Sequence, residues 1–258
     1  MPFASINGIR LYFESHGDGE VIVFLHGRGG NHLSWWQQVP FFRNSYRCIL
    51  IDHREFGLSI DTPDGPGRAA HVEDLKQLLD HLGIERAYLV GQSMGGSTAL
   101  GMAVCYPERV LGLVLADTSG SIRGADILSD FRARVEDLPQ DAAVRAISES
   151  FKKRDPERAF LYAEIGRLAP PVRETLEEYL LSEGGPEPRA LAGFNVPTLI
   201  IVGSDDIVVT PNVARMVNGY IKGSRLATVE GAGHSVYFEK PDEFNRLVAD
   251  FLDGLTNR

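Results

Sequence analysis

Three short stretches carry polar residues of the kinds that nucleophilic hydrolysis needs: Gly91-Gln92-Ser93-Met94-Gly95, Gly203-Ser204-Asp205-Asp206 and Gly231-Ala232-Gly233-His234. A serine hydroxyl is a weak nucleophile near neutral pH until an imidazole takes its proton. A buried carboxylate can hold that imidazole in the required tautomer. Ser93, one of the pair Asp205 and Asp206, and His234 supply the three groups. In the first stretch an apolar run enters Gly-x-Ser-x-Gly and a small-residue helical pattern follows. That is a strand, a tight bend and a helix, and Gly91 and Gly95 spare the bend the crowding that a Cβ would bring. The free N–H groups at the helix start, Met94 among them, would face negative charge developing beside the hydroxyl. The plain alternative, a glycine-rich turn with an incidental serine, has to be weighed against the elements around it.

A second glycine-rich turn, His26-Gly27-Arg28-Gly29-Gly30, follows the apolar run Val21 to Leu25. It lacks the third glycine of a dinucleotide fingerprint and the lysine of a phosphate loop. It reads instead as a turn that brings a backbone N–H, that of Arg28, toward a reacting carbonyl, with the N–H of Met94 as its partner. His26 reads as the histidine that holds this turn, because one triad needs one base.

The elements that must position these groups alternate along the chain. The continuous apolar run at residues 21–25 predicts a strand covered on both faces, as in a largely parallel sheet, and residues 46–51, 110–116 and 198–202 predict further strands. Residues 9–14, after Asn7-Gly8, predict an antiparallel hairpin at the sheet edge, and residues 225–229 a last strand. Helices are expected around Trp35 and Trp36, over 71–82 with Val72, Leu75, Leu78, Leu79 and Leu82 on one face, over 95–103, over 211–220 and over 241–252. The polar loop from Asp52 to Ser59 falls on the carboxyl edge of the sheet, where open α/β sheets bind ligands. Between residues 121 and 192 the alternation gives way to charged amphipathic segments carrying Leu128, Phe131, Val135 and Leu138, then Val144, Ile147 and Phe151, then Leu176, Tyr179 and Leu180. Pro170-Pro171 and Gly184-Gly185-Pro186 punctuate them. This predicts a small helical cap, 121–192, inserted into a core domain of 1–120 and 193–258 and placed to act as a lid.

A chain of 258 residues, 43% hydrophobic and 24% charged, is long enough for one large core. Its apolar runs are too short to span a bilayer, and its first residues lack a secretory pattern, so a cytoplasmic protein without a membrane partner is expected. A net charge of −9 opposes attraction to phosphate backbones and argues against nucleic acid as a partner. Cys48 and Cys105 are expected to be packed thiols rather than a disulfide, and His16, His32, His53, His71 and His81 show no metal-ligand spacing. Neither a metal nor an organic cofactor is expected, and the partner is a small-molecule substrate.

Through His26-Gly27, Asp52-His53-Arg54, Gly91-Gln92-Ser93-Met94-Gly95, Gly203-Ser204-Asp205-Asp206 and Gly231-Ala232-Gly233-His234, the chain resembles the α/β-hydrolase superfamily over nearly its whole length outside the cap. Within it the chain is similar to the small capped carboxylesterases and enol-lactonases, whose acid falls three residues after the strand-ending glycine. That resemblance implies Asp206 rather than Asp205, with Asp117 as a rival because some relatives carry their acid after the strand that follows the elbow helix. It further implies a mostly parallel central sheet with helices on both faces, and a serine hydrolase that cleaves a carboxylic ester or lactone through Ser93, His234 and Asp206, an acyl-enzyme, and an oxyanion hole from Arg28 and Met94. Two departures stand out: Glu55 replaces a loop glycine, and Ser235 follows His234 where carbon–carbon hydrolases of this superfamily commonly carry tryptophan. A serine at the elbow, not an aspartate, argues against haloalkane dehalogenase and epoxide hydrolase chemistry. The alternatives are the same triad used for carbon–carbon hydrolysis, perhydrolysis or a lyase step, and a binding protein of this fold without useful turnover.

Overall fold

Branched and aromatic runs form the strands of one eight-stranded sheet in the computed structural model, which describes residues 2–168, 173–182 and 184–256. In chain order they are β1 (Phe3–Ile6), β2 (Ile9–His16), β3 (Glu20–Leu25), β4 (Tyr46–Ile51), β5 (Ala87–Gln92), β6 (Val110–Ala116), β7 (Thr198–Gly203) and β8 (Arg225–Val229). The spatial order is β1-β2-β4-β3-β5-β6-β7-β8. Only the β1–β2 and β2–β4 pairs are antiparallel. The chain leaves β3 toward β4 on one side and returns past β3 to β5 on the other. The strand order therefore reverses between β3 and β5, and a crevice opens at their carboxyl ends.

The helices are α1 (Val39–Phe42), α2 (His71–His81), α3 (Met94–Cys105), α4 (Ala125–Arg134), α5 (Ala142–Ala146), α6 (Glu149–Arg154), α7 (Pro156–Arg167), α8 (Leu176–Leu180), α9 (Pro211–Tyr220), α10 (Val236–Glu239) and α11 (Pro241–Thr256). Side chains alternate across each strand, so β3 sends Val23 and Leu25 to one core, under α2, α3 and α9, and Ile22 and Phe24 to the other, under α1 and α11. Phe244, Val248, Phe251 and Leu252 form the buried stripe of α11. Each such side chain contributes about 1.5–3 kcal/mol on leaving water. Helix α3 is packed nearly all round, which explains its glycine, alanine and serine content.

The segment that carries α4 to α8 lies between β6 and β7 in sequence and reaches both cores: Ile127, Phe131 and Tyr179 join the first, Ile147, Phe151 and Ile165 the second. Several expectations are corrected. Val144 is exposed, and Ile127 rather than Leu128 is the buried residue of its turn. Trp35 closes a single 3-10 turn, His32–Trp35, begun by the Asn31 side chain; Trp35 is fully buried and Trp36 is 41% exposed. Cys105, the last residue of α3, faces solvent instead of packing, whereas Cys48 is buried; both are free thiols. Pro170-Pro171 lies outside the described residues.

Candidate active site

Strand β5 ends at Gln92 and α3 begins at Met94, so Ser93 alone makes the bend, with φ 49° and ψ −115°. A residue with a Cβ rarely adopts this conformation, at a cost of about 1–3 kcal/mol. The Ser93 amide donates to Ala116 O (2.9 Å), and its carbonyl accepts from Gly96 N (2.9 Å) and from the Thr118 hydroxyl (2.7 Å). Serine at this position usually caps the helix with its own oxygen. Here Oγ makes no cap bond and lies 3.0 Å from His234 Nε2. The tight packing behind the bend explains two glycines. A Cβ on Gly95 would sit 2.0 Å from Leu25 O, and one on Gly27 would sit 2.0 Å from Gln92 Oε1 and 3.3 Å from Ser93 Cβ.

His234 follows β8, and its Nδ1 lies 2.8 Å from Asp206 Oδ2. A carboxylate only accepts, so Nδ1 is the donor and Nε2 is left to accept from Ser93 Oγ. The other oxygen, Asp206 Oδ1, accepts from Val208 N (2.8 Å) and Val209 N (2.9 Å), which orients the carboxylate from the turn after β7. Asp205 is exposed and takes a bond from the Ser204 hydroxyl (2.8 Å). Asp117, the rival acid, is fully buried and spends its oxygens on Gly203 N and Val236 N, both at 3.1 Å. Burial, and then the charge of Asp206, push its carboxyl well above the usual carboxylate range. Ser93, Asp206 and His234 thus form one hydrogen-bonded row, and Asp117 braces the loops beneath it.

His26 is buried; Nδ1 donates to Gly27 O (2.8 Å) and Nε2 accepts from His53 N (3.0 Å), so the ring ties the turn after β3 to the one after β4. Burial pushes its pKa down to about 4, and it stays neutral. His53 and His71 stack at 4.5 Å beside it. The polar residues after β4 also turn inward. Asp52 accepts from His32 N (2.6 Å) and Leu58 N (2.7 Å), and buried Arg54 pairs with Asp61 and Asp74, each at 2.7 Å. Glu55 bends the loop at φ 73°, pairs with Arg173 at 3.2 Å, and reaches neither cavity described next.

A chamber of about 40 Å³ contains both Ser93 and His234 on its wall, together with Ala142, Arg145, Tyr162 and Tyr179 from the segment between β6 and β7. A larger cavity of about 280 Å³ touches neither Ser93 nor His234 but shares Arg28, Gln92, Ala142 and Tyr162 with the chamber. Four positioning residues escaped the sequence reading. Gln92 Nε2 donates to His234 O (2.7 Å), Ser235 Oγ donates to Tyr162 OH (3.0 Å), and Glu239 accepts from Gly233 N (2.9 Å) and from the Ser148 hydroxyl (2.5 Å), joining the His234 loop to the start of α6. Gln92 stood within the elbow motif and could have been found there; Tyr162, Glu239 and Ser148 carry no sequence signal. Among the described residues no group of three or more His, Cys, Asp or Glu could hold a metal, and no helix is long and apolar enough to cross a membrane.

Comparison with known proteins gives relatives of differing activity. The chain is 32% identical, over 94% of its length and 91% of the relative, to the 2-hydroxy-6-oxo-6-phenylhexa-2,4-dienoate hydrolase of Comamonas testosteroni. It superposes on Est816, described as an N-acyl homoserine lactone degrading enzyme, with TM-score 0.79 at 25% identity, covering 97% of this chain and 100% of that one. The enol-lactonase of Burkholderia xenovorans LB400 shares the fold, with TM-score 0.79 at 24% identity over 98% of this chain and 100% of that one. Residues 20–241 match the family model of the alpha/beta hydrolase fold, and the chain belongs to that family.

Proposed function

We propose that the protein hydrolyses a carboxylic ester or lactone of a small molecule through Ser93, His234 and Asp206. The observation that carries this reading is the unbroken row from Asp206 Oδ2 to His234 Nδ1 (2.8 Å) and from His234 Nε2 to Ser93 Oγ (3.0 Å), ending on a cavity wall. His234 takes the Ser93 proton as Oγ attacks the carbonyl carbon, and Asp206 stabilises the imidazolium that forms. The resulting alkoxide is held by the backbone N–H groups of Arg28 and Met94. Met94 is the first residue of α3 and has no carbonyl a turn earlier to bond, and the turn carrying Arg28 is pressed against the elbow at Gly27. His234 then returns its proton to the leaving alcohol, and an acyl-enzyme remains. Water, deprotonated by the same imidazole, attacks the acyl carbon, releases the acid and restores Ser93. Residues 121–192 act as the cap that closes the chamber and limits access of water. No metal or organic cofactor takes part.

Hydrolysis of nitrophenyl acetate and butyrate by the native protein and by Ser93→Ala tests this. Turnover in the native protein that disappears in the variant supports it, and equal turnover in both overturns it. A second reading, carbon–carbon hydrolysis by the same row, is favoured by the Comamonas relative, and Ser235 in place of tryptophan weighs against it. Product analysis separates the two.

A further inference from the structure

Two cationic residues, Arg28 and Arg145, line the 40 Å³ chamber beside Ser93. Arg145 is only 9% exposed, and its Nη1 donates to two backbone carbonyls, Pro139 O (3.0 Å) and Gln140 O (2.6 Å). Arg28 gives Nη2 to the Glu174 carbonyl, and its buried Nε has no partner among the described residues. Carbonyl oxygens satisfy N–H groups without cancelling charge. The acids whose charge supports the two arginines stand off the chamber wall: Glu174, which acts on Arg28, is held bidentately by Arg68 (2.9 and 2.7 Å), exposed Glu178 accepts from Thr175 N (2.6 Å), and Asp141, which acts on Arg145, lines the larger cavity. Burial, and then the charge of Arg28, push Arg145 below the usual arginine value, while Arg28 itself is lowered by burial. Two part-buried cations beside one small cavity are costly unless anions balance them. A planar guanidinium meets a carboxylate with paired, charge-assisted hydrogen bonds.

We propose that Arg28 and Arg145 form a carboxylate subsite beside Ser93, so that the substrate is a short ester or lactone bearing a second, ionised carboxylate. The chamber is small, which places the two carbonyl carbons only a few atoms apart. The ester or lactone half of this statement rests on the function proposed above; the carboxylate half rests on the two arginines.

Binding to Ser93→Ala, which removes turnover from the question, tests the subsite. Calorimetry compares monomethyl glutarate, an anion at pH 7.5, with neutral dimethyl glutarate. The expected result is at least tenfold tighter binding of the monoanion, a preference that Arg145→Gln lowers at least fivefold and Arg145→Lys largely keeps. The lysine variant also guards against misfolding, because a merely structural arginine would lose both esters together. Equal binding of the two esters, or a preference unchanged in both Arg145→Gln and Arg28→Gln, overturns the subsite. Hydrolysis of 4-nitrophenyl butyrate by the native protein without any preference for mono(4-nitrophenyl) glutarate also overturns it and leaves the ester reading standing. Preferential binding of the monoanion with no hydrolysis of either nitrophenyl ester supports the subsite and overturns the ester reading instead.

Discussion

His234 and His26 both stand just beyond the carboxyl ends of parallel strands, and their surroundings give them opposite work. His234 has a carboxylate on one nitrogen, a hydroxyl on the other and a cavity beside it. His26 has a backbone carbonyl on one nitrogen, a backbone amide on the other and the rings of His53 and Phe56 against its side. A proton gained by His234 is stabilised by Asp206, whereas a proton gained by His26 would be buried without a counter-charge on the ring. The same contrast separates two acids: Asp206 faces the imidazole, and Asp117 is consumed by the amides of Gly203 and Val236. Residue type and position at the sheet edge are shared within each pair. In the mechanism proposed above, the partners decide which member does chemistry and which holds loops.

The contrast breaks or sharpens under substitution. Ser93→Ala or His234→Ala should lower kcat by about 10⁴-fold or more while thermal melting confirms the fold, because the members of such a row act as a unit. Asp206→Asn should cost about 10³- to 10⁴-fold in kcat, since the amide cannot select the same imidazole tautomer. Asp117→Asn should instead act on stability, by about 1–3 kcal/mol in urea unfolding, because its amide nitrogen faces one of two backbone N–H donors. A larger kcat loss at Asp117 than at Asp206 would exchange their roles.

The buried imidazoles make a pH prediction. Burial pushes His71 down to about 3 from an unfolded value near 6.5, so between these limits the unfolded chain binds a proton that the folded one refuses. Its contribution is fully present above 6.5 and declines as pH falls toward 3. His71→Phe keeps a ring against His53 and removes this titration. The stability difference between the native protein and the variant should therefore shift against the native protein by about 1.4 kcal/mol for each pH unit below 6.5. A difference that stays flat from pH 7 to pH 4.5 would refute the assignment. The smallest expected effect is at Asp205, whose exposed carboxylate accepts from the neighbouring Ser204 hydroxyl: Asp205→Asn should stay within about 0.5 kcal/mol in stability and leave kcat near the native value.

Legibility from sequence followed the same division. Strands buried on both faces announce themselves as apolar runs, and β4 and β6 begin and end where those stretches do; the edge strand β8, mostly part-exposed, carries no such run and is placed by its position in the alternation. Ser93 and His234 could be picked out because glycine spacing marks the bends that carry them. The choice between Asp205 and Asp206 needed a resemblance, since residue type alone cannot separate neighbours that differ in which way a turn points. In the segment between β6 and β7 the short helices bury different faces against two cores, so Val144 and Ile127 exchange the exposure that periodicity suggests. Arg145, Tyr162 and Glu239 are ordinary residues in sequence; their meaning comes only from the wall or loop across from them.

Activation of Ser93 by His234 underlies every step proposed for this site. Intact-mass measurement and peptide mapping after treatment with a fluorophosphonate read that activation directly, whatever the substrate is. A single adduct on Ser93, formed in the native protein and slowed at least a thousandfold in His234→Ala, is the predicted result. No adduct at Ser93, or an adduct formed equally fast without His234, would contradict it.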